Sequence, residues 1–360
     1  MSPIEPVSPA SSPVSTVSWS DPARERSFHA WLDSLQGLGL VPGSVRPASA
    51  DASFRRYLRI DTAHGTRIVM DAPPSHEDCR PFVQLARLLR AAGLQAPEIL
   101  AWHEAEGFML LSDLGSTTYL QALTDRPDQA DALYRDALAA LVRLQGLEVR
   151  TQVPAYDRAL LLREMQLFPD WYITRHQGLV LSEKEQAVLE RSFEHLLANA
   201  LDQPAVLVHR DYHCRNLMLC GEPGSASNPG VLDFQDAVWG PITYDLVSLL
   251  RDAYVEWDEA QQIDWAVRYW EGARHAGLPV RSDFGEFWRD LEWMGLQRHL
   301  KVLGIFCRLY HRDGKEGYLK DLPLVWRHAH RVASRYREFA ALAQLLEKVA
   351  GEQRRVGYTF

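Results

Sequence analysis

Val206-Leu207-Val208-His209-Arg210-Asp211-Tyr212-His213-Cys214-Arg215-Asn216-Leu217-Met218-Leu219, resumed at Gly230-Val231-Leu232-Asp233-Phe234-Gln235, is a β-like island in a chain otherwise rich in helical periodicity. Two apolar strands each deliver a carboxylate, Asp211 and Asp233, 22 residues apart, and Asn216 stands five residues beyond the first. A Gly/Pro/Ser-rich loop over Gly221–Gly230 joins them. Outward from the island, Leu133, Ala137, Leu141 and Leu144 form the stripe of a helix over Ala130–Leu147. Ser182 with Glu185 is a capping box ahead of another helix, and the helical period recurs over Glu259–Ala276, Ser282–His311 and Trp326–Gly351. Toward the N-terminus the period shortens from about Val45 onward. Phe54–Ile60 and Thr66–Met70 read as a hairpin about Asp61–Gly65, Arg80–Ala92 as a helix stopped at Gly93, and Glu98–Trp102 and Phe108–Leu111 as two further strands. The expected fold class is α+β in two lobes. A small β-rich lobe spans residues 21–112, a hinge 113–116, and a larger, mainly helical lobe 117–350. Residues 1–20, with seven Ser, four Pro and one charge, read as a disordered tail, and 351–360 as a C-terminal tail.

Composition excludes several classes. The 360 residues are too many for one small core and suit two lobes. Against 39 Lys and Arg stand 47 Asp and Glu, so the net charge of −8 argues against a nucleic-acid partner. No apolar run reaches the ~18–20 residues of a membrane span, and the first residues lack the pattern of a signal peptide. Four cysteines form no CxxC pair and read as small buried hydrophobes of a reduced, cytoplasmic protein. No obligate protein partner is expected.

The island matches the protein-kinase catalytic loop, H-R-D-x-x-x-x-N followed by Asp-Phe-Gly, with Gln235 in place of the Gly. Phosphoryl transfer needs a carboxylate to orient the acceptor hydroxyl and take its proton, and oxygen ligands for Mg²⁺ on the triphosphate. Asp211 is then the catalytic base, and Asn216 and Asp233 are the metal ligands. Two decoys test this placement. His311-Arg312-Asp313 repeats the triplet, but Tyr318 stands where the Asn belongs. Asp283-Phe284-Gly285 lies 72 residues past Asp211. The first reads as a loop and the second as a helix start capped by Ser282.

The chain resembles the aminoglycoside phosphotransferase family, the small-molecule branch of the protein-kinase-like fold. The resemblance rests on Val231-Leu-Asp-Phe-Gln-Asp-Ala237 and Gly240-Pro-Ile-Thr-Tyr-Asp-Leu246, and it extends over about residues 27–340. It implies ATP as donor, Mg²⁺ as cofactor, and Asp245 as a buried brace of the catalytic loop. Asp51-Ala-Ser-Phe-Arg-Arg-Tyr57, Val69-Met-Asp-Ala-Pro-Pro74, Leu110-Leu-Ser-Asp-Leu-Gly115 and Leu296-Gln-Arg-His-Leu-Lys301 are similar to the family's anomeric sugar kinases of bacterial cell-wall recycling. That similarity implies N-acetylmuramic acid and N-acetylglucosamine as acceptors, phosphorylated at the anomeric hydroxyl.

Kinase-like chains usually end their third strand with a Lys that clamps the phosphates. Here Met70 stands in that place, and there is no Gly-rich phosphate loop. Arg55 and Arg56 are the candidates to supply the missing charge, because guanidinium forks suit phosphate oxygens. Ser53 is a further donor, Asp113 completes the nucleotide-binding set, and Arg59 and Arg67 are alternatives. Adjacent strand residues point to opposite faces, so one of the two arginines can simply face solvent.

The acceptor should lie beside Asp211. Arg210, His213 and Asp236 flank the motif. Glu164, a carboxylate on an apolar helix next to Phe168, Trp171 and Tyr172, suits sugar hydroxyls or belongs to the core. Arg298, His299 and Lys301 suit the lactyl carboxylate of N-acetylmuramate, or form a solvated basic face. An aminoglycoside kinase, and a non-catalytic nucleotide-binding protein suggested by Met70, are the competing readings.

Overall fold

A computed structural model describes residues 17–49 and 55–351. The chain divides into two compact units, one of residues up to Arg87 plus Pro97–Leu114, the other of Leu88–Ala96 plus Gly115 onward. Leu88–Ala96, expected in the small lobe, thus belongs to the second unit, where Gln95 bridges Gly230.

The first unit begins with α1 (Pro22–Ser34), opened by Asp21, whose carboxylate accepts from the Ala23 amide at 2.8 Å, and by Pro22 in its first turn. β1 (Leu40–Ser49), β2 (Arg56–Thr62) and β3 (Gly65–Asp71) follow, then α2 (Arg80–Ala91), whose residues from Leu88 on count with the second unit, and β4 (Ile99–His103) and β5 (Phe108–Ser112). The five strands form one antiparallel sheet in the order β1-β2-β3-β5-β4. Phe28, Trp31 and Leu32 of α1 pack on Leu58, Ile60, Val69, Phe108 and Leu110 of the sheet. Part of the expected tail joins this core. Val17 and Trp19 pack against it, with the Trp19 ring 4.9 Å from Phe28, because so large an apolar surface gains by burial. Residues 1–16 of that tail, and residues 352–360, lie outside the described residues.

The second unit is mainly helical. It runs through α3 (Tyr119–Asp125), α4 (Ala130–Gln145), α5 (Arg158–Met165), a π-helical segment (Phe168–His176) and α6 (Glu183–Asp202). After these come β6 (Ala205–Val208), β7 (Leu217–Met218), β8 (Gly230–Val231) and β9 (Val238–Pro241), then α7 (Tyr244–Leu250) and α8 (Glu259–His275). It closes with α9 (Phe284–Asp313), α10 (Leu322–Arg335) and α11 (Ala340–Val349). β6 pairs with β9 and β7 with β8, both antiparallel. The Ser182 capping box is present with both of its reciprocal hydrogen bonds.

α9 is the spine of this unit. Gly304 lets it press onto the π-helical segment, where an added Cβ would meet the Leu167 carbonyl carbon at 2.3 Å. Its N-cap is Asp283 rather than Ser282, accepting from the Glu286 amide at 2.9 Å. His311-Arg312-Asp313 is its last turn rather than a loop, stopped by Gly314 at φ +65°. The single helix expected over Trp326–Gly351 breaks at Tyr336, which turns extended and sends its hydroxyl to Glu292 at 2.6 Å. Among the described residues no helix is long and apolar enough to cross a membrane.

Candidate active site

The loop after β6 is held by carboxylates from below. Asp245, in the first turn of α7, accepts from the His209 amide at 2.6 Å and the Arg210 amide at 2.9 Å. It is fully buried, and burial raises its carboxyl to about 6. A second brace, Asp252, accepts from the Cys214 amide at 3.0 Å and the Tyr254 amide at 3.2 Å. Sequence reasoning missed Asp252; the signal was a second acid seven residues past Asp245, just beyond the same apolar helix. The His209 ring donates to the Leu232 carbonyl at 2.9 Å, tying this loop to the approach to Asp233. Arg210 and Asp233 have φ of +78° and +64°, a region non-glycine residues occupy only where the surroundings enforce it.

These braces bring Asp211, Asn216 and Asp233 together. The Asn216 amide nitrogen donates to the Asp211 carbonyl at 3.0 Å and to the Asp233 carboxylate at 3.3 Å, which leaves its side-chain oxygen as an acceptor. Gln235, the residue in place of the Gly, donates to the other Asp233 oxygen at 2.7 Å. One amide oxygen and one carboxylate form a hard donor pair of the kind that holds Mg²⁺ when phosphates and water complete the shell. Among the described residues no three His, Cys, Asp or Glu side chains gather as a metal cage. Burial opposes ionisation of Asp211, but the positive charges around it, Lys301 first and then Arg298 among them, outweigh it and hold the carboxyl below its ordinary value. Asp211 is therefore a carboxylate at neutral pH, the state expected of a base. Burial lowers His213 despite the carboxylates of Asp252 and Asp211, so its ring is neutral, with Nδ1 buried and unpartnered.

Glu164 stands in a buried polar network. It accepts from the Tyr156 hydroxyl and the Arg210 guanidinium, and pairs with Lys301 at 3.0 Å; Lys301 also donates to the Tyr244 hydroxyl at 2.9 Å. Burial would raise the Glu164 carboxyl, yet Lys301 and Arg210 hold it below its ordinary value. Tyr156 and Tyr244 carried no signal in sequence, since buried tyrosines are common. The solvated basic face offered for Arg298 and Lys301 is corrected here, because they are only 4% and 7% exposed. His299 turns away to the Arg251 carbonyl at 3.0 Å and stacks on His328. The Asp236 side chain is exposed, while its carbonyl accepts from Arg210 at 3.3 Å. Phe168 and Tyr172 stack on each other in the core, at 5.4 Å. Of the decoys, Asp313 pairs with its neighbour Arg312 and Asp283 caps a helix.

In the first unit the nucleotide candidates are already engaged. Arg55 pairs with Glu77 at 2.8 Å. Arg56 pairs with Asp71 and lies 4.0 Å over the Trp19 ring. Asp113 accepts from Arg59 at 2.6 Å and from the Thr66 hydroxyl at 2.6 Å. Arg67 donates to the Thr66 carbonyl at 2.8 Å. Met70 is fully buried, paired across the sheet with Tyr57 and Met109. Ser53 lies outside the described residues.

The sequence description of the phosphotransferase enzyme family matches residues 44–284. A Pseudomonas aeruginosa protein named N-acetylmuramate/N-acetylglucosamine kinase is 49% identical over 91% of this chain and 97% of its own length. A Pseudomonas putida protein of the same name is 47% identical over 91% of this chain and 96% of its own. Among solved structures, the GDP complex of aminoglycoside 2'-phosphotransferase-IIIa superposes with a TM-score of 0.58 at 15% identity, covering 87% of this chain and 99% of that one. That likeness is one of fold, the protein-kinase-like α+β architecture.

Proposed function

We propose a reaction and its substrates from one premise: the chain belongs to the phosphotransferase enzyme family. It is an ATP-dependent kinase that phosphorylates N-acetylmuramate and N-acetylglucosamine at the anomeric hydroxyl, giving sugar 1-phosphates for peptidoglycan recycling. The near end-to-end likeness to kinases named for those two sugars carries this reading. Using ATP as donor, it implies a cytoplasmic setting.

The site geometry supplies the chemistry. Asp211, ionised and fixed by the braced loop, accepts the proton of the attacking hydroxyl. That oxygen bonds to the γ-phosphorus as the bond from phosphorus to the ADP oxygen breaks. Asn216 and Asp233 would hold Mg²⁺, which neutralises triphosphate charge when bound. The Glu164–Arg210–Lys301 network fixes the floor beside the base, with His213 and Asp236 at its edge. In the first unit, Arg55 or Arg56 would meet a phosphate by giving up part of its carboxylate pair, with Ser53 two residues before Arg55 and with Asp113, the partner of Arg59, completing the set. A polycationic aminoglycoside is a poor fit to an acceptor side carrying Arg210, Arg298 and Lys301.

The test is a Mg-ATP assay with N-acetylmuramate, N-acetylglucosamine, the methyl glycoside of N-acetylglucosamine and kanamycin. Acid-labile sugar phosphate should form from the two free sugars, and the blocked glycoside should be inert. Turnover of kanamycin without turnover of either sugar overturns the reading.

A further inference from the structure

We propose that Arg298, with Gln297 beside it, forms a subsite for a carboxylate on the acceptor, so that the acceptor site is built for an acidic amino sugar and admits a neutral one as a poorer fit. The inference rests on the functional reading above and names what that reading leaves open.

Arg298 is 4% exposed, and its Nε and Nη1 are buried with no hydrogen-bond partner. Among the described residues it makes no ion pair, although the unit is rich in acids. A buried guanidinium left this way is strongly destabilising unless something completes it. Gln297, 1% exposed, has both side-chain polar atoms buried and unpartnered. Two adjacent orphaned polar side chains are an accounting gap that calls for a polar ligand or ordered water.

The gap lies on the acceptor side. Gln297 and Arg298 stand four and three residues before Lys301 on α9, so both flank it along one helix face. Lys301 reaches Glu164 at 3.0 Å, and Glu164 accepts from Arg210, the residue before the base. Farther along the helix, Phe306 touches Tyr254, whose ring lies 5.6 Å from His213. The charge of Arg298 is felt by both Asp211 and His213. Lys301 is already spent on Glu164 and Tyr244, and His299 on the Arg251 carbonyl, so Arg298 is the cation of this stretch left without a partner. Planar forked donors favour a carboxylate over a hydroxyl. The lactyl arm of N-acetylmuramate carries such a group, and N-acetylglucosamine has none.

The experiment compares kcat/KM for the two sugars in wild type, Arg298→Gln and Arg298→Lys, and adds the methyl ester of N-acetylmuramate with wild type alone. Arg298→Gln should lose ~10–100-fold more with N-acetylmuramate than with N-acetylglucosamine, mostly in KM, the size of a charge-assisted contact. Arg298→Lys should recover part of it, and wild type should treat the ester as it treats N-acetylglucosamine. Equal losses on both sugars would place Arg298 at the phosphates or in the fold and overturn the subsite. So would a wild type that does not distinguish acid from ester, a result independent of whether either variant folds. Failure of wild type to phosphorylate either sugar fells the functional reading first, and the subsite with it.

Discussion

Asp211 and Asp313 each close an identical His-Arg-Asp triplet, and only their surroundings separate them. Asp211→Asn should lower kcat by ~10²–10⁴-fold, the usual worth of a general base, while ADP affinity holds. Asp313→Asn should leave kcat within a few-fold, because that carboxylate pairs with its neighbour Arg312 at the end of α9. Steady-state kinetics of both variants decide it, and an Asp211→Asn enzyme above a tenth of wild-type kcat would refute the assignment. The spacing of Asp211, Asn216 and Asp233 was legible because the chemistry dictates both residue types and their separation along the chain. The states of Glu164, Arg298 and Lys301 were not legible. Whether a cation on a helix is solvated, paired or orphaned depends on what packs over it, and α5 and the catalytic loop arrive from more than 80 residues away.

At the scale of elements, helices and inner strands followed from periodicity, and the misreadings have tertiary causes. β1 contains Pro42, Gly43 and Pro47 and shifts register against β2, which a sheet tolerates at its edge, where β1 lies. Its first half therefore did not read as strand. The break between α10 and α11 is set by the Tyr336 hydroxyl bonding Glu292 on α9, a contact no local pattern announces. Two glycines make the same point in a measurable way. Gly272 in α8 has only Val142 Cγ2 at 3.9 Å from an added Cβ, so Gly272→Ala should be neutral or stabilise by ~0.5–1 kcal/mol through helix propensity. Gly304→Ala offers the same propensity gain but drives a Cβ into the Leu167 backbone, which cannot swing aside. With overpacking costs of ~1–3 kcal/mol, and roughly 2 °C per kcal/mol in a unit of this size, its Tm should fall by about 2–6 °C. Thermal unfolding of the pair measures it, and an unchanged Tm for Gly304→Ala would mean α9 does not press on the π-helical segment.

For the whole molecule, the balance of buried titrating groups sets the acid limit. Burial, with Arg251, Arg331, Arg327 and Arg298 around it, depresses His328 to about 3, and His299 shifts the same way. An unfolded imidazole takes its proton near ~6.5, so below that pH the unfolded chain holds a proton the folded one refuses. Stability is full above that pH and declines as pH falls. At pH 5 the His328 contribution amounts to ~2 kcal/mol, from about 1.5 pH units at ~1.4 kcal/mol each. His328→Leu should flatten the fall in Tm between pH 7 and 5, and parallel profiles would exclude the buried imidazole as its source. The two-unit α+β organisation was visible in sequence as a change of period, whereas this acid sensitivity was not, since burial cannot be read from a lone His.

The interior position of Cys214 in the catalytic loop gives the enzyme a chemical shield. Its thiol is fully buried beside Asp252 and driven up by burial, so the reactive thiolate is suppressed. Burial likewise raises Cys79 and Cys220, and puts Cys307 at about 12. Alkylating agents and mild oxidants therefore have little to attack while the chain is folded. Thiol titration of the native protein should find at most the partly exposed Cys220 quickly, with the other three appearing only at the rate of unfolding. Electrophile resistance thus becomes a property of the packing around the active site, and a slow thiol count becomes a clock for its opening.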